Sequence, residues 1–215
     1  TVGRHTMTKI YLIRHAESES NRNRTFTGQL DVGLTDTGKE QARRLAEHFR
    51  GISPDAIVSS DLSRVVATVM PTAREKGLSI RRDPAFREIY GGAFEGRTYE
   101  DIGEEYPAEL AVWLGDIDHG VCPGGESMED VKARVLPAFF RLVAESEGKT
   151  LILATHATPV RALLSLATGR TMQELRWVPN ASTSLLIAEG DTLRAVSIGD
   201  TSYLGSLTTT FGKGI

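Results

Sequence analysis

Short apolar runs alternate with amphipathic stretches along this chain, and that alternation narrows the fold more than any other feature. Lys9 to Ile13 reads as a buried strand. Thr35 to Arg50 reads as a helix: Ala42, Leu45, Ala46 and Phe49 recur on one face, and Thr37 and Glu40 have capping-box spacing. Ala56 to Val58 is the next strand, followed by a helical segment from Asp61 that Pro71 is expected to kink or shorten. Ser79 to Arg82 reads as a third strand, and a loop runs from Pro84 to Gly96. Two short helices follow, Thr98 to Tyr106 and Pro107 to Leu114, then a longer one, Ser127 to Ser146, opened by Ser127 and Asp130 and bent by Pro137. Thr150 to Ala154 reads as a central strand, and Thr158 as the cap of a helix with Pro159 in its first position. Thr183 to Ala188 and Leu193 to Ile198 form a hairpin about Gly190-Asp191. Strands separated by helices imply an α/β three-layer sandwich. Its central sheet is mostly parallel with one antiparallel strand, and helices cover both faces.

A length of 215 residues suits one domain, expected over 7–205. Thr1 to Thr6 reads as a cloning remnant, and 206–215 as a tail without clear pattern. The net charge of −3 argues against nucleic acid or an anionic membrane as partner. The lone cysteine, Cys122, excludes an internal disulfide and a cysteine zinc cage. No apolar run nears the roughly 18 residues of a membrane span, and Ile10 to Ile13 is too short for a signal-peptide core. A cytoplasmic address is therefore expected. The oligomeric state stays open, a homodimer included.

Two strand ends carry the chemistry. The first expected strand ends Ile13-Arg14-His15-Ala16, and the central one ends Ala154-Thr155-His156-Ala157. Ligands of open α/β sheets bind outside the carboxyl ends of the strands, so two imidazoles leaving neighbouring strands there can converge on one small group. Arg14 and Arg64 fall at the same end, and the guanidinium fork suits phosphate oxygens. A cationic pocket on a mildly acidic protein points to a phosphoryl group. A metal site is disfavoured: two histidines lack third and fourth ligands, and arginines beside them repel a cation. Gly33 to Glu40 mimics a Walker A loop, but Glu40 replaces the hydroxyl residue that holds magnesium. Asn180-Ala181-Ser182 matches a glycosylation triplet by pattern only.

These residues resemble the histidine phosphatase superfamily, in its phosphoglycerate-mutase-like branch. Arg14-His15-Ala16-Glu17-Ser18 is similar to its Arg-His-Gly motif, with Asn21, Thr27-Gly28 and Leu34-Thr35 with Gly38 following in family order. Ser59 to Arg64 with Thr68, Arg87-Glu88-Ile89 through Gly92 and Glu95-Gly96, Pro123 to Ser127, Thr155-His156-Ala157 and Gly199 to Leu204 continue the resemblance, which spans about Lys9 to Leu204. Ala16 and Ala157 depart from it by replacing two glycines, so a slightly reshaped pocket is expected.

The resemblance implies roles. His15 would be the nucleophile and form a phosphohistidine. Arg14, Arg64 and His156 would stabilise the transferring group; Asn21, Thr27, Gly28 and Ala157 would add phosphate contacts. Glu88 would protonate the leaving oxygen and then activate water. No cofactor is implied. Thr98 to Asp130 lacks Lys and Arg and is rich in acids, which favours hydrolysis over the mutase reaction on a highly anionic substrate. Tyr90, Phe94, Tyr99 and Trp113 are candidates for an apolar wall. Three readings follow: a metal-independent phosphomonoesterase acting on a small phosphorylated metabolite, a phosphoglycerate mutase, and a non-catalytic phosphate-binding module.

Overall fold

The computed structural model describes residues 6–210. Most of the expected remnant, 1–5, and the last five residues of the tail, 211–215, lie outside the described residues. The elements run β1 (Thr8–Arg14), α1 (Glu19–Asn23), α2 (Asp36–His48), β2 (Ala56–Ser59), α3 (Ser63–Lys76), β3 (Ile80–Arg82), α4 (Tyr99–Glu105), α5 (Pro107–Gly115), α6 (Met128–Glu145), β4 (Thr150–Thr155), α7 (Ala157–Thr168), β5 (Thr183–Glu189) and β6 (Thr192–Asp200).

The sheet has six strands in the order β3-β2-β4-β1-β5-β6. β1, β2, β3 and β4 pair in parallel. β5 is antiparallel to both β1 and β6, so one strand runs against the rest, as the hairpin implied. Strand alternation divides the core in two. Ile10, Leu12, Leu151 and Leu153 face α6 and α7 through Val135, Phe139, Val160 and Leu163. Ile13, Ile57, Ile152 and Ala154 face α2 and α3 through Leu45, Phe49, Val65 and Val69. Both faces of β1 and β4 are thus covered, which is why these strands read as continuous apolar runs.

Four local readings are corrected. Thr35, not Thr37, caps α2, its side chain accepting from Gly38 N–H, while Glu40 turns outward to Arg43 and Arg44. Gly38 is required there: a Cβ would meet the Glu17 carbonyl oxygen at 2.0 Å. α3 runs through Pro71 to Lys76 instead of ending near the proline. α7 begins at Ala157 with His156 as N-cap, and Thr158 does not cap it, because its hydroxyl is taken by Glu88. Part of the patternless tail is docked: Gln41 Nε2 donates to the Leu207 carbonyl at 2.7 Å and to Thr209 Oγ1 at 2.9 Å. No helix of the described residues is long and apolar enough to cross a membrane.

Candidate active site

β1 and β4 are neighbours, with Arg14 level with Thr155. The pairing continues one step further, since His15 N–H donates to the Thr155 carbonyl at 2.9 Å. His15 and His156 therefore leave the sheet side by side, their ring centroids 5.3 Å apart and the planes 65° from parallel. His15 Nδ1 lies 2.7 Å from the Ala16 carbonyl oxygen. A carbonyl only accepts, so Nδ1 carries the proton and Nε2 keeps its lone pair. Burial, then Arg64 and Arg14, hold the His15 pKa well below the ordinary 6.5, so the ring is neutral at physiological pH.

The supports of this loop are specific. Ala16 N–H donates to Thr68 Oγ1 at 2.9 Å, and Thr68 donates on to the Arg64 carbonyl. The methyl of Ala16 packs with Leu34, Ala181 and Leu204, away from the cavity, so this departure from glycine does not narrow it. The His15 carbonyl accepts from Ala181 N–H and from Asn180 Nδ2 at 3.2 Å. His156 Nε2 shares a hydrogen bond with Ser60 Oγ at 2.8 Å, while its buried Nδ1 has no acceptor or donor among the described residues.

Arg14 and Arg64 are both 1% exposed. Arg14 Nη1 donates to the Val178 carbonyl at 2.6 Å. Arg64 donates to the carbonyls of Leu30 and Gly28, both at 2.8 Å. Desolvation pulls each guanidinium down to about 10, with Glu88 opposing the shift, so both remain charged at neutral pH. Gly28 adopts φ +51°, and a Cβ there would strike the Glu95 carboxylate at 2.3 Å.

Glu88 sits against the start of α7. Its oxygens accept from Ile89 N–H at 2.9 Å, Ala157 N–H at 3.0 Å, Thr158 N–H and the Thr158 hydroxyl. Burial raises its pKa above the usual carboxylate value, and the backbone donors and the two arginines only partly offset that. The loop bearing it is clamped by Arg134, which donates to the carbonyls of Ala85, Arg87 and Glu88 and forks onto Glu126 at 2.7 and 2.8 Å.

A cavity of about 300 Å³ opens on this group. Arg14, His15, Arg64, Glu88 and the expected contacts Asn21, Thr27, Gly28 and Ala157 all line it; His156 lies behind the wall, fully buried. Asn21 Oδ1 is occupied by Ser18 and Asn180, which leaves only its amide nitrogen for a ligand. Of the expected apolar wall, Tyr99 and Trp113 line the cavity. Phe94 is core, and Tyr90 is 45% exposed outside it. The acids of the 98–130 segment do not line it either. Asp101 closes the capping box of α4 with Thr98, Glu105 pairs with Arg97, Asp116 with His119, and Asp118 accepts from Met172 and Gln173 N–H. Sequence reasoning missed Ser60, Arg134, Thr158 and Asn180. Glu126 and Asn180 stood inside recognised patterns, but only the fold reveals what they hold.

The histidine phosphatase superfamily (branch 1) family model matches residues 10–201. The chain belongs to this superfamily. Among superfamily relatives, phosphoserine phosphatase 1 of Hydrogenobacter thermophilus is 30% identical over 202 residues, covering 93% of this chain and 95% of its own. A probable phosphoglycerate mutase of an Enterobacter species is 32% identical over 163 residues, 76% of each chain. The structure of a mycobacterial glucosyl-3-phosphoglycerate phosphatase superposes with a TM-score of 0.82 at 28% identity, covering 91% of this chain and all (100%) of that one. Superfamily membership and the phosphatase relatives identify the chain as a phosphatase enzyme.

Proposed function

We propose that this chain hydrolyses phosphomonoesters of small metabolites through a phosphohistidine on His15. The observation that supports this most is the tautomer: the Ala16 carbonyl fixes the proton on Nδ1 and presents a neutral Nε2 beside two buried arginines. Nε2 attacks phosphorus and the bond to the leaving oxygen breaks, its electron pair staying on that oxygen. Glu88, which burial biases toward its protonated form, donates its proton there. Water then gives a proton to Glu88 carboxylate and its oxygen attacks phosphorus. The P–N bond breaks and returns its electrons to Nε2. Arg14, Arg64 and His156 Nδ1 offset the charge spread over the non-bridging oxygens, with Asn21, Thr27, Gly28 and Ala157 as further phosphate contacts.

The reading needs no metal ion, since two arginine charges share the cavity with His15. It extends to residues 7–205 as one unit and to a substrate that is not nucleic acid. A cytoplasmic address is part of it. Turnover of p-nitrophenyl phosphate in excess chelator tests the whole. We expect full activity in chelator and a loss of about three orders of magnitude or more in His15→Ala. Metal-dependent turnover, or an active His15→Ala enzyme, refutes it. The mutase reading has a relative's name behind it; interconversion of 3- and 2-phosphoglycerate with little phosphate release would put it first.

A further inference from the structure

Ser60 bears on the His156 ring much as the Ala16 carbonyl bears on His15, but from the opposite end of the imidazole. Ser60 follows the last residue of β2 and His156 follows the last residue of β4. These strands are neighbours, with Ser59 level with Ala154. Ser60 N–H donates to the Ala154 carbonyl at 3.0 Å, which holds the serine beside the strand end that carries the histidine. Both residues are fully buried. Ser60 Oγ lies 2.8 Å from His156 Nε2, and the other ring nitrogen, Nδ1, has no partner among the described residues.

A serine hydroxyl can give or accept in such a contact, so its other neighbours decide. Leu62 N–H donates to Ser60 Oγ at 3.4 Å, and a backbone N–H only donates. His156 Nε2 is thus the one acceptor for the hydroxyl proton among the described residues. With a proton on Nε2, the Ser60 hydroxyl proton and the Nδ1 lone pair would both be buried unmatched. With the proton on Nδ1, a single N–H is left over, and an oxyanion satisfies it. Burial, then Arg64 and His15, hold the His156 pKa well below 6.5, so the ring is neutral and has one proton to place. His15 also carries its proton on Nδ1 but is tied by that end. The same tautomer therefore leaves a lone pair on one ring and an N–H on the other, with the centroids 5.3 Å apart.

Resting on the phosphatase reading above, we propose that Ser60 is a positioning residue whose hydroxyl fixes His156 as a neutral Nδ1–H donor to the phosphoryl oxygens. Without that hydroxyl the ring is free to carry its proton on Nε2. Nδ1 then offers a lone pair to the oxyanion, and an attractive contact becomes a repulsive one. Ser60 thereby separates the roles of two chemically identical side chains.

Nitrogen-15 NMR of the histidine-labelled full chain reads the tautomer directly, and five histidines keep the spectrum simple. His156→Asn assigns the His156 signals. In the unmodified chain we expect Nδ1 protonated and Nε2 an unprotonated acceptor. Ser60→Ala should mix the tautomers and lower kcat for p-nitrophenyl phosphate by about tenfold. KM should change by less than about threefold, because the lost donor acts mainly where charge spreads in the transition state. Ser60→Thr keeps the hydroxyl and should recover the tautomer and most of kcat. A serine that only fills space would leave the tautomer untouched in Ser60→Ala, which overturns the proposal. So does a proton on Nε2 in the unmodified chain, a full kcat in Ser60→Ala, or a folded Ser60→Thr that behaves like Ser60→Ala. Should Ser60→Ala not fold, Ser60→Cys, a weak donor of similar size, is read by the same criteria. Failure of the phosphatase reading shows separately, as no turnover of any ester by the unmodified chain. The affinity for inorganic phosphate then takes the place of kcat, and equal affinities in the unmodified chain and Ser60→Ala overturn the positioning role.

Discussion

His15 and Glu88 have environments that push their protonation in opposite directions. Burial and two arginines keep His15 neutral, while burial keeps Glu88 protonated to a higher pH than an ordinary carboxyl. The nucleophile must be deprotonated and the acid protonated, and the two shifts both widen the pH range in which those forms coexist. The rate should fall on the basic side as Glu88 ionises. Glu88→Gln should remove that basic limb and slow alkyl phosphates by about 100-fold or more, with a smaller loss for p-nitrophenyl phosphate, whose leaving group needs little protonation. A pH–rate profile on both substrates checks this. An unchanged basic limb in Glu88→Gln removes Glu88 from the role of acid.

The Glu88 loop carries little regular structure and depends on one side chain of α6. Arg134 satisfies three of its carbonyls and pairs with Glu126, whose second oxygen also accepts from Tyr90 N–H. Removing it leaves those acceptors and a half-buried carboxylate unmatched. Arg134→Met should cost about 2–3 kcal/mol in stability and lower kcat through a displaced Glu88. Arg134→Lys should recover little, because a single ammonium cannot reproduce the fork. Denaturant unfolding alongside kcat reads both effects, and a variant as stable and active as its parent contradicts the clamp.

At this scale much was legible beforehand. The strands β1 and β4 announced themselves because both faces are apolar, and the capping box at Ser127 and Asp130 fixed the start of α6 within a residue. What escaped were contacts between elements distant in the chain. Thr158 looks like a helix cap until Glu88, 70 residues earlier, claims its hydroxyl. The acids of 98–130 read as bearing on the substrate because their partners, backbone N–H groups and Arg97 among them, carry no periodic signal. The short α1 is a single turn held by Ser18 and Asn21, too brief for periodicity to mark.

Across the molecule the site lies where the two cores meet. β1 and β4 are gripped by α2 and α3 on one face and by α6 and α7 on the other, and both histidines emerge between the layers. The sheet therefore pays for holding two buried neutral imidazoles. Their folded pKa values are depressed, so the unfolded chain binds more protons than the folded one below about 6.5. Stability from this source is complete above that pH and is lost as pH falls through it toward the folded values. The melting temperature should drop on acidification from pH 7 to 5, and less steeply in His156→Asn. An equally steep drop in that variant assigns the acid sensitivity to other groups.

Covalent trapping at His15 tests the central claim most directly. The chain is mixed with p-nitrophenyl phosphate, quenched in alkali during turnover, and mapped by mass spectrometry for the phosphorylated residue. The account predicts a phosphoryl group on His15, absent from His15→Ala and accumulating in Glu88→Gln if that variant slows the water step more than the first transfer. Phosphate found on another residue, or turnover that proceeds with no phosphorylated enzyme at any time, would contradict it.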